Sequence, residues 1–247
     1  MLVENGHMLG SAQVAVELTG GLRVGYSGDF AGGVENPIQV DALVLDGTCG
    51  APKLVRQYTQ ELAEERLREI VSRALSCGAV YIRAARGTLQ RALTVLAGNV
   101  NYPVLGSDRL LREVAVYRAF GQPIDELLSV DSAAGTDVLD TGRYVRVFGR
   151  RDRIPVDTST VTVIELSAYV PSSDPVVEHS RQSYRVAITN HADFEETLDY
   201  VHATGACEVI TDATRSPHAR ALAQEIATRL GVTARPSSSE NSLEWGN

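Results

Sequence analysis

Cysteine is scarce in this chain of 247 residues: Cys49, Cys77 and Cys207 are scattered and odd in number. That argues against a disulfide framework and against a cysteine metal site, and a reducing, cytoplasmic setting is expected. No run of about 18 apolar residues occurs, so no membrane span is expected. A basic stretch followed by an apolar one is missing from the first residues, so no secretory signal is read there. Basic excess is missing too. Lys and Arg number 23 against 31 Asp and Glu, a net charge of −8. This argues against a broad electrostatic face for nucleic acid. It leaves open a narrow cleft where metal ions supply the positive charge.

What is present fits an ordinary α/β protein, with 44% hydrophobic and 22% charged residues. Short β patterns lie at 12–18 and 22–27, joined by Gly20-Gly21, which suits a tight hairpin. The apolar run 42–46 reads as a buried strand ending in Asp46. Leu54, Tyr58, Leu62, Leu67, Ile70, Val71 and Ala74 recur at helical steps, predicting a helix over 54–76. A strand at 79–83, a helix over Thr88–Leu96, a strand near 102–105 and a helix over Arg109–Phe120 follow. This alternation indicates a parallel sheet. The signal is weak over 121–160 apart from a strand near 143–148. Strands return at 161–166 and 184–188 around a loop at 171–175. A helix opening at Asn190, a strand at 207–211 and a helix over 217–230 complete the pattern. The tail over 237–247 reads as disordered.

Four short pieces carry candidate chemistry. They are Gly6-His7-Met8-Leu9-Gly10-Ser11-Ala12, Ser27-Gly28-Asp29, the strand ending in Asp46 with Gly47 and Thr48 after it, and Asn190-His191-Ala192-Asp193. A fifth, Ala85-Arg86-Gly87-Thr88-Leu89-Gln90, lies between them. In this order the set resembles the β-CASP nucleases, a branch of the metallo-β-lactamase fold that processes ends of RNA or DNA. The resemblance implies an α/β chain: a partial metallo-β-lactamase αββα sandwich over 1–50 and 161–247, with a β-CASP-like α/β domain inserted over 51–160.

The resemblance also implies roles. His7 matches a metal-binding His, and Asp29 matches the Asp that bridges two ions; an anion between two cations relieves their repulsion. Asp46 matches the acid that partners the catalytic His, and His191 matches that His, a general acid for the leaving oxygen. Imidazole suits the task because its unperturbed pKa is about 6.5. Gly87 and Gln90, with Arg83 and Arg86 beside them, are the substrate-contact candidates. RNA-directed members usually place a metal-binding His after the next strand; here Val209-Ile210-Thr211 leads to Asp212. Asp212 is the substitute ligand, and the missing His tilts the expected substrate toward DNA rather than RNA. The family's His-x-His-x-Asp-His cluster does not precede His7 in this sequence. Two Zn²⁺ ions, or Mn²⁺, are therefore expected only with a separate partner chain that brings that cluster.

Plainer readings stand beside these. His7 can be a polar residue in a glycine turn, Asp29 an Asx turn, Asp46 a strand-end acid, Asp212 a turn residue and His191 a first-turn residue of a helix. Arg83, Arg86 and Arg91 can simply mark a helix start, and Arg146, Arg150, Arg151 and Arg153 a solvated loop, the preferred reading for that run. The leading functional expectation is a subunit of a split metallo-nuclease. The alternative is a catalytically inactive scaffold in a nucleic-acid-processing or defence complex. A metallohydrolase of small esters is the third, disfavoured by the β-CASP-like insertion. Strands 12–18 and 22–27 are expected to leave an apolar face bare, which an obligate partner would cover.

Overall fold

The glycine pair does what its position predicts. Gly20 and Gly21 hold φ at +101° and +87°, and Leu18 N–H donates to the Leu22 carbonyl at 2.8 Å. The chain thus reverses between two antiparallel strands. The computed structural model describes residues 1–155, 160–214 and 216–237. Along the chain come β1 (Leu2–Glu4), β2 (Ala12–Glu17), β3 (Arg23–Tyr26), β4 (Ala42–Leu45) and a 3₁₀ turn at Pro52–Leu54. Next are α1 (Gln60–Cys77), β5 (Val80–Ala84), α2 (Thr88–Leu96), β6 (Val104–Gly106), α3 (Asp108–Ala119), β7 (Leu127–Ser129) and α4 (Ala133–Asp140). Then come β8 (Val145–Gly149), β9 (Thr162–Leu166), β10 (Val176–Ser180) and β11 (Ser183–Val186). The chain closes with α5 (Phe194–Thr204), β12 (Glu208–Thr211), α6 (Ala219–Leu230) and β13 (Thr233–Pro236). The fold is mixed α/β, with two sheets among the described residues. No helix among them is long and apolar enough to cross a membrane.

Two compact units form, 1–55 with 190–247, and 56–189. The inserted unit therefore runs to 189, not to 160. The reason is strand pairing. β9 lies parallel to β5, with Ile82 opposite Ile164, and β11 adds parallel to β9. The segment 161–189 thus belongs to the sheet of the insertion and not to the outer segments.

In the outer unit the strand order is β1-β2-β3-β4-β12-β13. β1 to β3 are antiparallel, and the later neighbours are parallel. Side chains alternate between the faces. One face sends Ala15, Leu43, Leu45 and Val209 into a core with Leu198 and Val201 of α5 and Leu222 and Ile226 of α6. The other face carries a cross-strand row of Leu2, Val14, Tyr26, Val44 and Ile210. Leu2, Val16 and Tyr26 on or beside it are 74%, 51% and 40% exposed. This apolar face is open.

The inserted unit has the order β10-β11-β9-β5-β8-β6-β7, with every neighbouring pair parallel except β10 with β11. Its central strands are buried on both faces, as parallel sheets require. Leu67, Val71, Leu89, Leu93, Leu110 and Val114 of α1 to α3 meet Val80, Ile82 and Val147 on one side. Tyr81, Leu105, Tyr144, Phe148 and Val161 pack on the other. Burial and the neighbouring Tyr81 push the Tyr144 phenol up to about 12.

Some boundaries differ from the sequence pattern. α1 begins at Gln60, where Thr59 accepts the Leu62 N–H at 3.2 Å; Leu54 sits in the 3₁₀ turn instead. β7 and α4 fill part of the stretch that gave a weak signal, and Ser132 caps α4 through the Gly135 N–H. Ser237 is tied down, donating its N–H to Thr211 and accepting from Ala213 N–H, each at 2.8 Å. The rest of the expected disordered tail lies outside the described residues.

One buried polar group braces the outer unit. Gln13 is fully buried. Its Oε1 accepts from Ile38 N–H at 3.0 Å and from the Tyr200 hydroxyl at 2.8 Å, and its Nε2 donates to Asn36 O at 2.7 Å. Burial holds the Tyr200 phenol well above its ordinary pKa, so it stays a donor. Gln13→Ala orphans all three partners and is expected to lower the unfolding free energy by about 3 kcal/mol in urea denaturation. A loss under about 0.5 kcal/mol, the size of a neutral surface change, would contradict this bracing role.

Candidate metal site

The site grows from three chain reversals of the outer unit. The first follows β1. Asn5 is buried, and its Nδ2 donates to Ser27 O at 2.9 Å. Its Oδ1 accepts from Ser11 Oγ at 2.6 Å and from His7 N–H at 3.3 Å. Gly6 and Gly10 supply the positive φ values, 72° and 80°, that the reversal around His7 needs. The second follows β3. Ser27, fully buried, accepts from Asp46 N–H at 2.9 Å through its hydroxyl, which donates to Gly28 O at 2.8 Å. Gly28, at φ +59°, then turns Asp29 out of the strand line.

The third reversal precedes α5. The helix starts at Phe194, not at Asn190 or His191, because Asp193 caps it: Glu196 N–H donates to Asp193 Oδ1 at 3.0 Å, and Asp193 N–H to Glu196 Oε2 at 2.8 Å. This frees Asn190 for another task. Its Nδ2 donates to His7 O at 2.6 Å, while its carbonyl lies 3.0 Å from His7 Nδ1. A carbonyl can only accept, so Nδ1 carries the proton and Nε2 keeps its lone pair in the neutral ring. Ala192 N–H donates to Phe30 O at 2.7 Å, which joins the third reversal to the second.

These ties bring His7, Asp29 and His191 together. Each offers a donor atom within 4.8 Å of the others, and all three are partly buried. His7 Nε2 is 3.9 Å from Asp29 Oδ2. The His7 and His191 rings meet edge to face, their centroids 4.6 Å apart. His191 Nδ1 is 4.0 Å from Asp46 Oδ2. The other Asp46 oxygen accepts from Thr48 N–H at 3.1 Å and from Thr48 Oγ1 at 2.8 Å. Two imidazoles and a carboxylate form a donor set that fits one Zn²⁺ or a similar divalent ion with an open position. The backbone carbonyl on His7 Nδ1 is the kind of outer contact that orients such a ligand. Three donors are too few to close a two-ion site.

Asp212 stays outside this group of three. Its Oδ1 accepts from Thr214 N–H at 2.8 Å and from Thr214 Oγ1 at 2.6 Å, so it builds a turn. Arg83, Arg86, Gly87 and Gln90 belong to the inserted unit. Arg83 pairs with Glu165, and Arg86 reaches Glu113 at 3.3 Å. Gln90 is buried, and it accepts from Gly87 N–H at 2.7 Å, closing the first turn of α2. Its Nε2 reaches Glu113 at 3.3 Å. Gln90 is thus occupied by helix capping rather than presented as an open donor. Sequence reading missed Asn5 and the Asn190 clamp. Asn5 directly before Gly6-His7 is the one available cue, since buried amides favour tight turns.

Gly28 limits what the second reversal tolerates. A Cβ there meets Asn5 Nδ2 at 3.1 Å and Ala12 O at 3.2 Å, whereas a Cβ at Gly10 meets nothing within 4 Å. Gly28→Ala is expected to cost more stability than Gly10→Ala in thermal denaturation, each also losing about 1–2 kcal/mol to the left-handed backbone. Equal losses would show that the Asn5 contact does not constrain the turn.

No protein-family model matches the chain. It is 37% identical over 100 residues to the "Uncharacterized protein in lig 3'region" of Acidianus ambivalens, covering 40% of this chain and 71% of that protein. It is 25% identical over 130 residues to an "RNase J-like protein" of Methanocaldococcus jannaschii, covering 47% of this chain and 31% of that protein. The chain thus spans about a third of that relative's length. Among solved structures, a protein of unknown function from Enterococcus faecalis V583 matches with a TM-score of 0.58 at 12% identity. That match covers 85% of this chain and 57% of the other, and it shows a shared fold. By the stretch it shares with the Acidianus ambivalens protein, the chain belongs to the same family as that protein.

Proposed function

We propose that the chain is part of a metal-dependent nuclease that hydrolyses phosphodiester bonds, DNA ahead of RNA. The observation that carries this reading is the meeting of His7, Asp29 and His191, with Asp46 beside His191. The partial similarity to an RNase J-like protein supports it. A bound Zn²⁺ or Mn²⁺ would polarise the phosphoryl group and make water a stronger acid. In this reading His7 and Asp29, two of the three clustered donors, would hold the ion, and His191 would keep its imidazole for proton transfer. His191 would pass a proton to the leaving oxygen, with Asp46 Oδ2 4.0 Å from its Nδ1. The remaining ligands of a two-ion centre come from polypeptide outside these 247 residues, read from the sequence as a separate chain. The open apolar face of Leu2, Val14, Val16 and Tyr26 offers the surface for a second sheet.

Calorimetric titration of the chain with ZnCl₂ or MnCl₂ tests the ligand set. One ion is expected to bind, and His7→Ala or Asp29→Ala is expected to weaken binding at least about 10-fold. Absence of binding by the chain alone and in its complex with the adjacently encoded polypeptide would overturn the proposal. In that complex, Asp46→Ala is expected to keep the metal and to slow cleavage of labelled DNA by about 10²–10⁴-fold. Unchanged cleavage in Asp29→Ala and His191→Ala would instead favour an inactive scaffold.

A further inference from the structure

The parallel sheet of the inserted unit gathers arginines at one edge. β5, β8 and β6 are adjacent and parallel, so their carboxyl ends lie side by side. Arg86 follows β5. Arg150, Arg151 and Arg153 follow β8. Ser107 and Arg109 follow β6 and open α3. In open α/β sheets this edge is where ligands collect. Charge is also divided between the units. Residues 56–189 hold 17 Lys and Arg against 16 Asp and Glu, and the other unit holds the remaining 6 against 15. The chain's acidity is thus concentrated outside the inserted unit.

Packing fixes this edge in place. Arg109 Nη1 reaches Glu113 Oε1 at 2.9 Å, and the same oxygen lies 3.3 Å from Arg86 Nη2. Arg109 Nη2 donates to both Asp152 oxygens, at 3.0 and 2.9 Å. Asp152 also accepts the Gly149 N–H at 2.8 Å. A Cβ at position 149 would stand 2.8 Å from Arg109 Nη2, so glycine there leaves room for the guanidinium. Glu113 and Asp152 neutralise two of the cations. Arg150, Arg151 and Arg153 are exposed and make no ion pair among the described residues. Ser107 Oγ is shielded from solvent and has no hydrogen-bond partner there. As the sequence suggests, Arg150, Arg151 and Arg153 are solvated, while Asp152 anchors their loop beside the start of α3.

We infer that this crest binds the phosphate backbone of the polynucleotide substrate, an inference that rests on the nuclease reading above. Three adjacent strand ends span about 10 Å, at about 4.8 Å per strand. A row that long, with surplus guanidinium groups, suits successive phosphates of one strand better than a single small anion. Backbone contacts carry no base information, so binding is independent of sequence and shared by DNA and RNA.

The test is fluorescence anisotropy of the full chain with labelled single-stranded DNA and RNA of one sequence, from 50 to 300 mM salt. In Arg150→Ala/Arg151→Ala/Arg153→Ala the slope of log K against log salt is expected to flatten by about 2 for both polymers, with at least about a 10-fold loss of affinity at the lowest salt. Arg181→Ala/Arg185→Ala, exposed on the hairpin at the far edge of the same sheet, is expected to leave the slope unchanged. An unchanged slope in the triple variant, or an equal change in the far-edge variant, would overturn the inference. Zinc titration of the triple variant separates the two claims: normal zinc binding with lost DNA binding supports the crest, and normal zinc binding with intact DNA binding removes the crest while leaving the metal site standing.

Discussion

The outer unit depends on one exchange of hydrogen bonds between residues 7 and 190, 183 positions apart. Asn190 gives its side-chain N–H to the His7 carbonyl and takes the His7 Nδ1 proton on its own carbonyl. The first contact fixes the backbone of the His7 turn. The second fixes the ring and its tautomer. Together with the edge-to-face contact of the His191 ring, they hold Nε2 toward Asp29 against the entropy of ordering a side chain in a partly exposed turn. The inserted unit leaves the chain between these two residues and returns directly before Asn190. The exchange is thus also where the outer unit closes on itself.

Around that exchange the polar residues form a connected set. Asn5 ties the His7 turn to the end of β3, Ser27 ties the Asp29 turn to the start of the Asp46 loop, and Ala192 ties the His191 turn back to Phe30. Each tie satisfies a backbone polar group, and a buried one left without a partner is costly. The same bonds that satisfy the backbone therefore position the side chains. Side chains ordered in advance by such ties would lower the cost of binding an ion.

Much of the architecture was legible in the sequence because its signals are local. The Gly20-Gly21 hairpin, the apolar run of β4 and the periodic faces of α1 and α6 were each readable within their own windows. The residues His7, Asp29 and His191 could be named from short motifs, and the structure brings their side chains together. What failed was non-local. The extent of the inserted unit depends on β9 choosing β5 as its neighbour, a pairing no window reveals. The start of α5 turned on which of Asn190 and Asp193 would cap it, and the competing bond from Asn190 to His7 decided that. Asp212 lies outside the group of His7, Asp29 and His191, and its Oδ1 accepts from Thr214.

Anomalous diffraction at the zinc edge, from crystals of the chain grown with Zn²⁺, tests the central claim most directly. The account predicts a peak about 2.0–2.2 Å from His7 Nε2 and from an Asp29 carboxylate oxygen. Empty density between those atoms, with zinc found elsewhere or not at all, would contradict it.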